Sequence, residues 1–211
     1  GQPGEPPPPP PGVDPDSPEY QEAAELSQQA IEAAEQGELG AAIDLFNQAI
    51  EASPNYLPAY FGLSYALKHS GDEEGSMAVL EEAVASNPDN PAAYVRLGEE
   101  HILRDNPEGA LVAFTEAAEL TPDAPVPYAG QAMALIMMDR DDEAKEALDT
   151  ALALDPFNPE ARLANSFYLA KQGDRKEAVQ ELRHLVRDQR APGYVRERAR
   201  QILDRFGLSS Q

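Results

Sequence analysis

Three histidines, His69, His101 and His184, are the side chains here best placed to move protons near neutrality, and they fall in separate stretches of sequence. They form no spaced ligand set. The chain has no cysteine, so it offers no thiolate nucleophile or thiolate metal site, and neither HExxH nor the phosphate-cradling GxxxxGK[ST] pattern occurs. Asp139, Asp141 and Asp142 cluster beside Arg140 but bracket a turn and a helix beginning, where carboxylates cap backbone N–H groups; Asp72, Glu73 and Glu74 take the same reading. His69 suits a helix end, and His184 lies among surface charges. We therefore expect a non-enzymatic chain with no catalytic residue, metal site or cofactor. Its chemistry is that of a surface that holds another molecule.

Charge narrows what that molecule is. The net charge is −22, but residues 160–211 hold eleven Lys/Arg against seven Asp/Glu, a surplus of +4, and residues 1–159 carry −26. An acidic body repels nucleic acid and attracts basic partners, most strongly at low salt. Near the C-terminus, Arg196, Arg198, Arg200 and Arg205 form a candidate basic-end contact for an acidic partner or another copy of the chain; the plainer reading is that they surround a solvated helix without converging. No apolar run approaches the roughly 20 residues that cross a membrane. Lack of cysteine is compatible with the cytoplasm and with an exported or periplasmic compartment alike.

The elements that would carry such a surface are repeats. Pro54, Pro88, Pro122 and Pro156 recur at one fixed interval, and Tyr60, Tyr94 and Tyr128 recur at the same interval. Around each proline a small and a large residue recur in register: Ala42 with Phe46 and Ala49, Ser76 with Leu80 and Ala83, Ala110 with Phe114 and Ala117, Ala144 with Leu148 and Ala151. Offsets of four and three put each set on one helical face, where the small residue admits a neighbouring helix and the large one fills the gap. Tyr60 with Leu63 and Leu67, Tyr94 with Leu97 and Gly98, and Tyr128 with Ala132 and Leu135 describe a second helix per unit. An array of this period cannot bury its faces unit by unit and must stack.

The pattern resembles the tetratricopeptide repeat family over about residues 20–190, in five units. In PAAYVRLGEEHILRDNPEGALVAFTEAAELTPD, residues 91–123, Tyr94, Leu97, Gly98, His101, Ala110, Phe114, Ala117 and Pro122 occupy the family's packing positions. Tyr94 stands where Trp is frequent, and His101 where Tyr is. The resemblance implies an all-α fold, a right-handed superhelical solenoid of stacked antiparallel helix pairs.

Helix pairs are expected at 18–36 and 39–52, 57–69 and 73–85, 91–104 and 107–120, 125–138 and 141–154, and 159–172 and 175–187. Gly37, Gly71 and Gly173 fall at turns inside pairs, and Pro18, Pro91, Pro107, Pro125 and Pro159 at early helical positions. The organisation expected is a proline-rich linker or tail at 1–17, five repeats at 18–191, a capping helix at 192–206 ended by Gly207, and a tail at 207–211. Six consecutive prolines, Pro6–Pro11, favour an extended spacer.

In the family, first helices of the pairs line the inner side of the stack. The corresponding positions here are Ser27, Ile31 and Ala34, then Phe61, Tyr65 and Lys68, Val95, Glu99 and Ile102, Ala129, Met133, Ile136 and Met137, and Leu163, Phe167 and Lys171. Phe61, Tyr65, Val95, Glu99, Ile102, Met133, Ile136, Met137 and Phe167 are the expected partner-binding set. Their partly apolar character suits a protein or peptide that brings apolar side chains and a basic flank. Some relatives clamp a terminal carboxylate with basic and asparagine side chains; Lys68 and Lys171 are present, but Phe61, Tyr65, Val95 and Met133 replace the polar readers. The function expected is a non-enzymatic scaffold or adaptor. The alternatives are a self-associating structural or assembly protein, and an accessory domain of a larger protein that could be membrane-anchored. If packing between units consumes some of these residues, the groove is shallower.

Overall fold

The computed structural model describes residues 14–205; the proline run Pro6–Pro11 and residues 206–211, including Phe206 and Gly207, lie outside them. The described residues form eleven helices: α1 (Pro18–Glu35), α2 (Leu39–Ala52), α3 (Leu57–Ser70), α4 (Glu73–Ser86), α5 (Pro91–Leu103), α6 (Pro107–Leu120), α7 (Pro125–Met137), α8 (Asp141–Leu154), α9 (Pro159–Gln172), α10 (Arg175–Arg187) and α11 (Gly193–Arg205). The fold is all-α, with antiparallel helix pairs stacked in a solenoid. Two compact units divide within α5, between Leu97 and Gly98. In the first, α1 packs on α2 and α3, and α3 on α4; in the second, α7 packs on α6, α8 and α9, and α9 on α10 and α11.

Both kinds of turn repeat because their chemistry repeats. Inside the pairs, Gly37, Gly71, Asp105, Asp139 and Gly173 all have positive φ, between 56° and 93°. The next residue's N–H returns to a carbonyl five residues back in each case: Glu38 to Ala33, Asp72 to Leu67, Asn106 to His101, Arg140 to Leu135 and Asp174 to Leu169, at 2.9–3.0 Å. This pattern satisfies helix-end carbonyls and needs one left-handed residue, which glycine supplies at least cost. Asp105 and Asp139 fill that position in the third and fourth pairs, whose turns residue type alone does not mark. Between pairs, Ser53, Asn87, Thr121 and Asp155 end the preceding helices with φ of −135° to −147°. Each precedes one of the periodic prolines, whose ring disfavours helical backbone in the residue before it. In each turn that residue's carbonyl accepts an N–H from three residues on, at Tyr56, Asn90, Ala124 and Asn158.

The cores match large residues to small ones. Phe46, 2% exposed, covers Gly62, where an added Cβ would meet the ring at 2.3 Å. Phe114 lies between Gly98 and Gly130, with corresponding distances of 2.9 and 2.4 Å. Leu148 instead packs in a cluster with Ala132 and Ala164. The second pair holds a polar variation: Ser64 and Ser76, both buried, share a hydrogen bond of 2.8 Å between hydroxyls. Alanine or glycine stands at both equivalent positions in neighbouring pairs, as Ala30 with Ala42, Gly98 with Ala110 and Ala132 with Ala144. Ser64→Ala alone should cost about 1 kcal/mol by stranding the other hydroxyl, while the double Ser64→Ala, Ser76→Ala variant should return to within about 0.5 kcal/mol of the native chain. Urea unfolding of the single and double variants measures both values; a double variant worse than either single one would contradict the account.

Candidate functional site

In the first unit, two large apolar side chains stand out from the first helices of adjacent pairs. Ile31 of α1 is 45% exposed and Tyr65 of α3 is 52% exposed, at equivalent positions one repeat apart on helices that touch. One turn before Tyr65, Phe61 is half-buried against the cluster of Leu57, Tyr60, Ala83 and Ala93. The Tyr65 ring stacks on His69, with centroids 3.9 Å apart and planes at 29°, and the His69 Nδ1 lies 2.9 Å from the Tyr65 carbonyl oxygen. This stack, one helical turn long, restricts the tyrosine and lowers the entropy lost when a ligand covers it. Ser27 is buried and Ala34 half-buried, while Val95 is half-buried in the part of α5 belonging to this unit.

The equivalent surface of the second unit is more deeply packed. Met133 of α7 and Phe167 of α9, again one repeat apart, rest on the cluster of Ala132, Leu135, Ile136, Ala144, Leu148 and Ala164. Both are half-buried, as are Met137, Glu99, Ile102 and Leu163. Ile136 departs from the sequence expectation: it is only 9% exposed and belongs to the core, because α9 packs across its side of α7. Ala129 is buried too. The packing of one repeat on the next thus takes Ile136 out of the expected contact set and leaves Met133, Met137 and Phe167 as partial surface.

Lys171 is committed elsewhere. Its Nζ donates to the Ile136 carbonyl at 2.9 Å and pairs with Asp139 at 2.7 Å and Asp141 at 2.6 Å, tying α9 to the end of α7 and the start of α8. The acidic cluster noticed in the sequence is therefore a structural latch, and Arg140 pairs with Glu143 beside it. Hydrogen bonding from Lys171 holds the Asp141 carboxyl below its usual range, and bonding to Asp139 and then Asp141 raises the Lys171 amine. The Asp141 contribution to stability is present above the ordinary carboxylate range and is lost as pH falls through the lowered folded value. That of Lys171 is present below the ordinary amine value and is lost as pH rises through the raised one. Stability should accordingly fall more steeply in acid for the native chain than for Lys171→Met, a difference read from urea midpoints along a pH series; parallel curves would dismiss the latch as an energetic element.

At the basic end, Val195, Ala199 and Leu203 of α11 pack on Leu182 and Leu185. At about 100° per residue, Arg196 and Arg200 project on one flank of that buried stripe and Arg198 and Arg205 on the other. Arg200 also pairs with Glu197 at 2.5 Å. The four arginines are divided by the packing of their own helix and do not converge. Sequence reasoning missed a more compact basic feature on α10, where Lys176, Arg183 and Arg187 are spaced by seven and four positions. No group of three or more His, Asp or Glu that could hold a metal ion occurs among the described residues, and none of their helices is long and apolar enough to cross a membrane.

Comparison with known proteins agrees with this architecture. The Tetratricopeptide repeat family profile matches residues 33–99 and 101–164, and a second profile of the same description matches residues 76–125. Among solved structures, TTC0263, a thermophilic TPR protein of Thermus thermophilus, is 20% identical with a TM-score of 0.64, covering 86% of this chain and 98% of its own. The pilF protein of Pseudomonas aeruginosa is 16% identical with a TM-score of 0.64, covering 92% of this chain and 90% of its own. YrrB, described as a TPR protein with an unusual peptide-binding site, is 20% identical with a TM-score of 0.55, covering 85% of this chain and 92% of its own. No curated protein sequence matches. Proteins with this fold act typically as non-enzymatic scaffolds that bind proteins or peptides. With the periodic prolines, the five equivalent left-handed turns and a family match over most of its length, this chain belongs to the tetratricopeptide repeat family.

Proposed function

We propose that the chain is a scaffold that captures a protein segment on the α1–α3 face of its first unit, and that this segment brings apolar anchors flanked by lysine or arginine. The observation that carries the reading is the exposure of Ile31 and Tyr65 at equivalent positions on touching helices, with Phe61 half-buried beside them. Large apolar side chains displayed together are the usual anchors of peptide recognition. The surrounding charge selects the flank: the chain contains no lysine or arginine before Lys68, against eleven Asp/Glu. A carboxylate clamp is disfavoured, since Lys171 already answers two aspartates. The peptide-binding site named for YrrB is in keeping with this use of the fold. Met133, Met137 and Phe167 supply a second, shallower apolar surface in the other unit, where methionine can adapt to the ligand.

Three labelled synthetic helical peptides test the reading by fluorescence anisotropy. One carries leucines at i, i+4 and i+7 with lysine and arginine flanks, one has the same leucines with glutamate flanks, and one has the basic flanks with alanines for leucines. Binding of the first alone is expected. Equal binding of the alanine peptide would reduce the interaction to charge, and a requirement for a free C-terminal carboxylate would restore the clamp.

A further inference from the structure

In a chain with 38 acidic residues against 16 Lys/Arg, α10 carries three cations along one side. Lys176, Arg183 and Arg187 fall within an arc of about 40° at 100° per residue, along about 16.5 Å of helix. They form no ion pair among the described residues, unlike Arg162, Lys171, Arg190 and Arg200 of the same unit; the α11 residues Arg196, Arg198 and Arg205 form none either but lie on opposite flanks of their helix, so only the α10 set shares one face. The three lie opposite the buried Ala178, Leu182 and Leu185, so packing turns them outward. They also line a shallow depression to which Asp174 and Glu177 contribute carboxylates and Val179 an apolar floor. The Arg183 Nε is buried without a hydrogen-bond partner.

The complementary surface is in the same sequence. On α1, Glu22, Glu25 and Glu32 are exposed and fall within an arc of about 80°, spanning about 15 Å on the side away from the buried Ala23, Ser27 and Ala30. No cation on α1 or α2 can compensate them, because neither helix contains Lys or Arg. We infer that the Lys176–Arg183–Arg187 stripe of one copy docks the Glu22–Glu25–Glu32 stripe of α1 in a second copy. The stripes match in length to within one helical residue, and one has what the other lacks. The contact joins two different surfaces, so it is head-to-tail: it generates either a closed ring or an open chain of copies. Salt has two opposed effects. Two molecules of net charge −22 repel at long range, and physiological salt, with a Debye length of about 8 Å, suppresses that repulsion while leaving pairs in contact less affected. Association therefore rises from very low to moderate salt and falls again at high salt, where the contact pairs are screened too.

Sedimentation velocity of the full chain over a concentration series at low, physiological and high salt tests this, using charge reversal on each side. Native protein is expected to gain mass with concentration at physiological salt. Lys176→Glu with Arg187→Glu, which spares the partly buried Arg183, and separately Glu22→Lys with Glu25→Lys and Glu32→Lys, should each remain monomeric with helicity unchanged by circular dichroism. Mixing the two monomeric variants should restore association, through both the doubly reversed pair and the native stripes that each variant keeps, and at least tenfold more tightly than either variant with itself. A native chain monomeric throughout overturns the inference, as does association that survives the α10 reversal. Loss in both variants without recovery in the mixture overturns the pairing of these stripes. A monomeric native chain that binds a polyglutamate peptide through α10 would replace the second copy by another acidic partner. This surface is separate from Ile31, Phe61 and Tyr65, so Tyr65→Ser should leave the sedimentation unchanged, and failure of either proposal leaves the other standing.

Discussion

Gly62→Ala is expected to destabilise the chain by about 1–3 kcal/mol, the usual cost of overpacking a well-filled core. On intrinsic preference the sign would be opposite, since alanine in a helix interior is better than glycine by about 1 kcal/mol. The difference is Phe46: the new Cβ would lie 2.3 Å from a ring that is itself only 2% exposed. Gly40→Ala, in the first turn of α2, is the steric control, because no heavy atom lies within 4 Å of the added Cβ and no overpacking loss is expected. The stronger test is Phe46→Leu in the Gly62→Ala background. Leu148 already packs with Ala132 and Ala164, so leucine over alanine is a combination this fold uses. Phe46→Leu should cost stability alone but recover part of the Gly62→Ala loss, giving a favourable coupling of about 0.5–3 kcal/mol in a double-mutant cycle. Additive losses in guanidinium unfolding would mean that the glycine serves something other than the ring.

Tyr65→Ser should weaken binding of the leucine peptide with basic flanks by about 30-fold, corresponding to about 2 kcal/mol for an aromatic anchor. Because Tyr65 is half in water, with its ring stacked on the exposed His69, the same change should hardly alter the unfolding midpoint. Phe167→Ser is the instructive contrast. That ring is partly buried on the core of the second unit, so its truncation should lower stability as well as any contact made there. Calorimetry of binding together with thermal unfolding separates the two. A Tyr65→Ser protein with full affinity would remove α3 from the recognition surface.

The helices were the most legible part of the sequence. Expected and observed bounds coincide for α2, α6, α8, α9 and α10: α6 and α9 are marked by an asparagine cap followed by proline, while α2, α8 and α10 lack a side-chain cap bond and are bounded by the repeat period and the apolar face. Turns were half legible. Gly37, Gly71 and Gly173 announced themselves by residue type, while Asp105 and Asp139 hold the same left-handed conformation and are found only by carrying the period through. The surface was least legible, for a physical reason: a helical wheel gives direction, but exposure depends on how far the neighbouring helix reaches. Ile31 and Ile136 are the same residue type on the same kind of helix, and one is 45% exposed and the other 9%. Charge was easier to count than to place. The four arginines of α11 drew attention by number, whereas the α10 cations share one face because their spacings of seven and four follow the helical turn.

The matching of rings to glycines gives the array a grain. Large residues at the equivalent position run Phe46, Leu80, Phe114, Leu148, and the glycines that follow the two phenylalanines at the same interval, Gly62 and Gly130, lie two repeats apart. The backbone turns recur in every repeat, but side-chain volumes recur only in every second one. Duplication or loss of genetic material one pair at a time would preserve every turn yet bring a phenylalanine against Arg96 or Ala164 in place of glycine. Change in steps of two pairs leaves both turns and volumes in phase. A lineage descending from such a sequence would therefore lengthen or shorten most readily by even numbers of repeats.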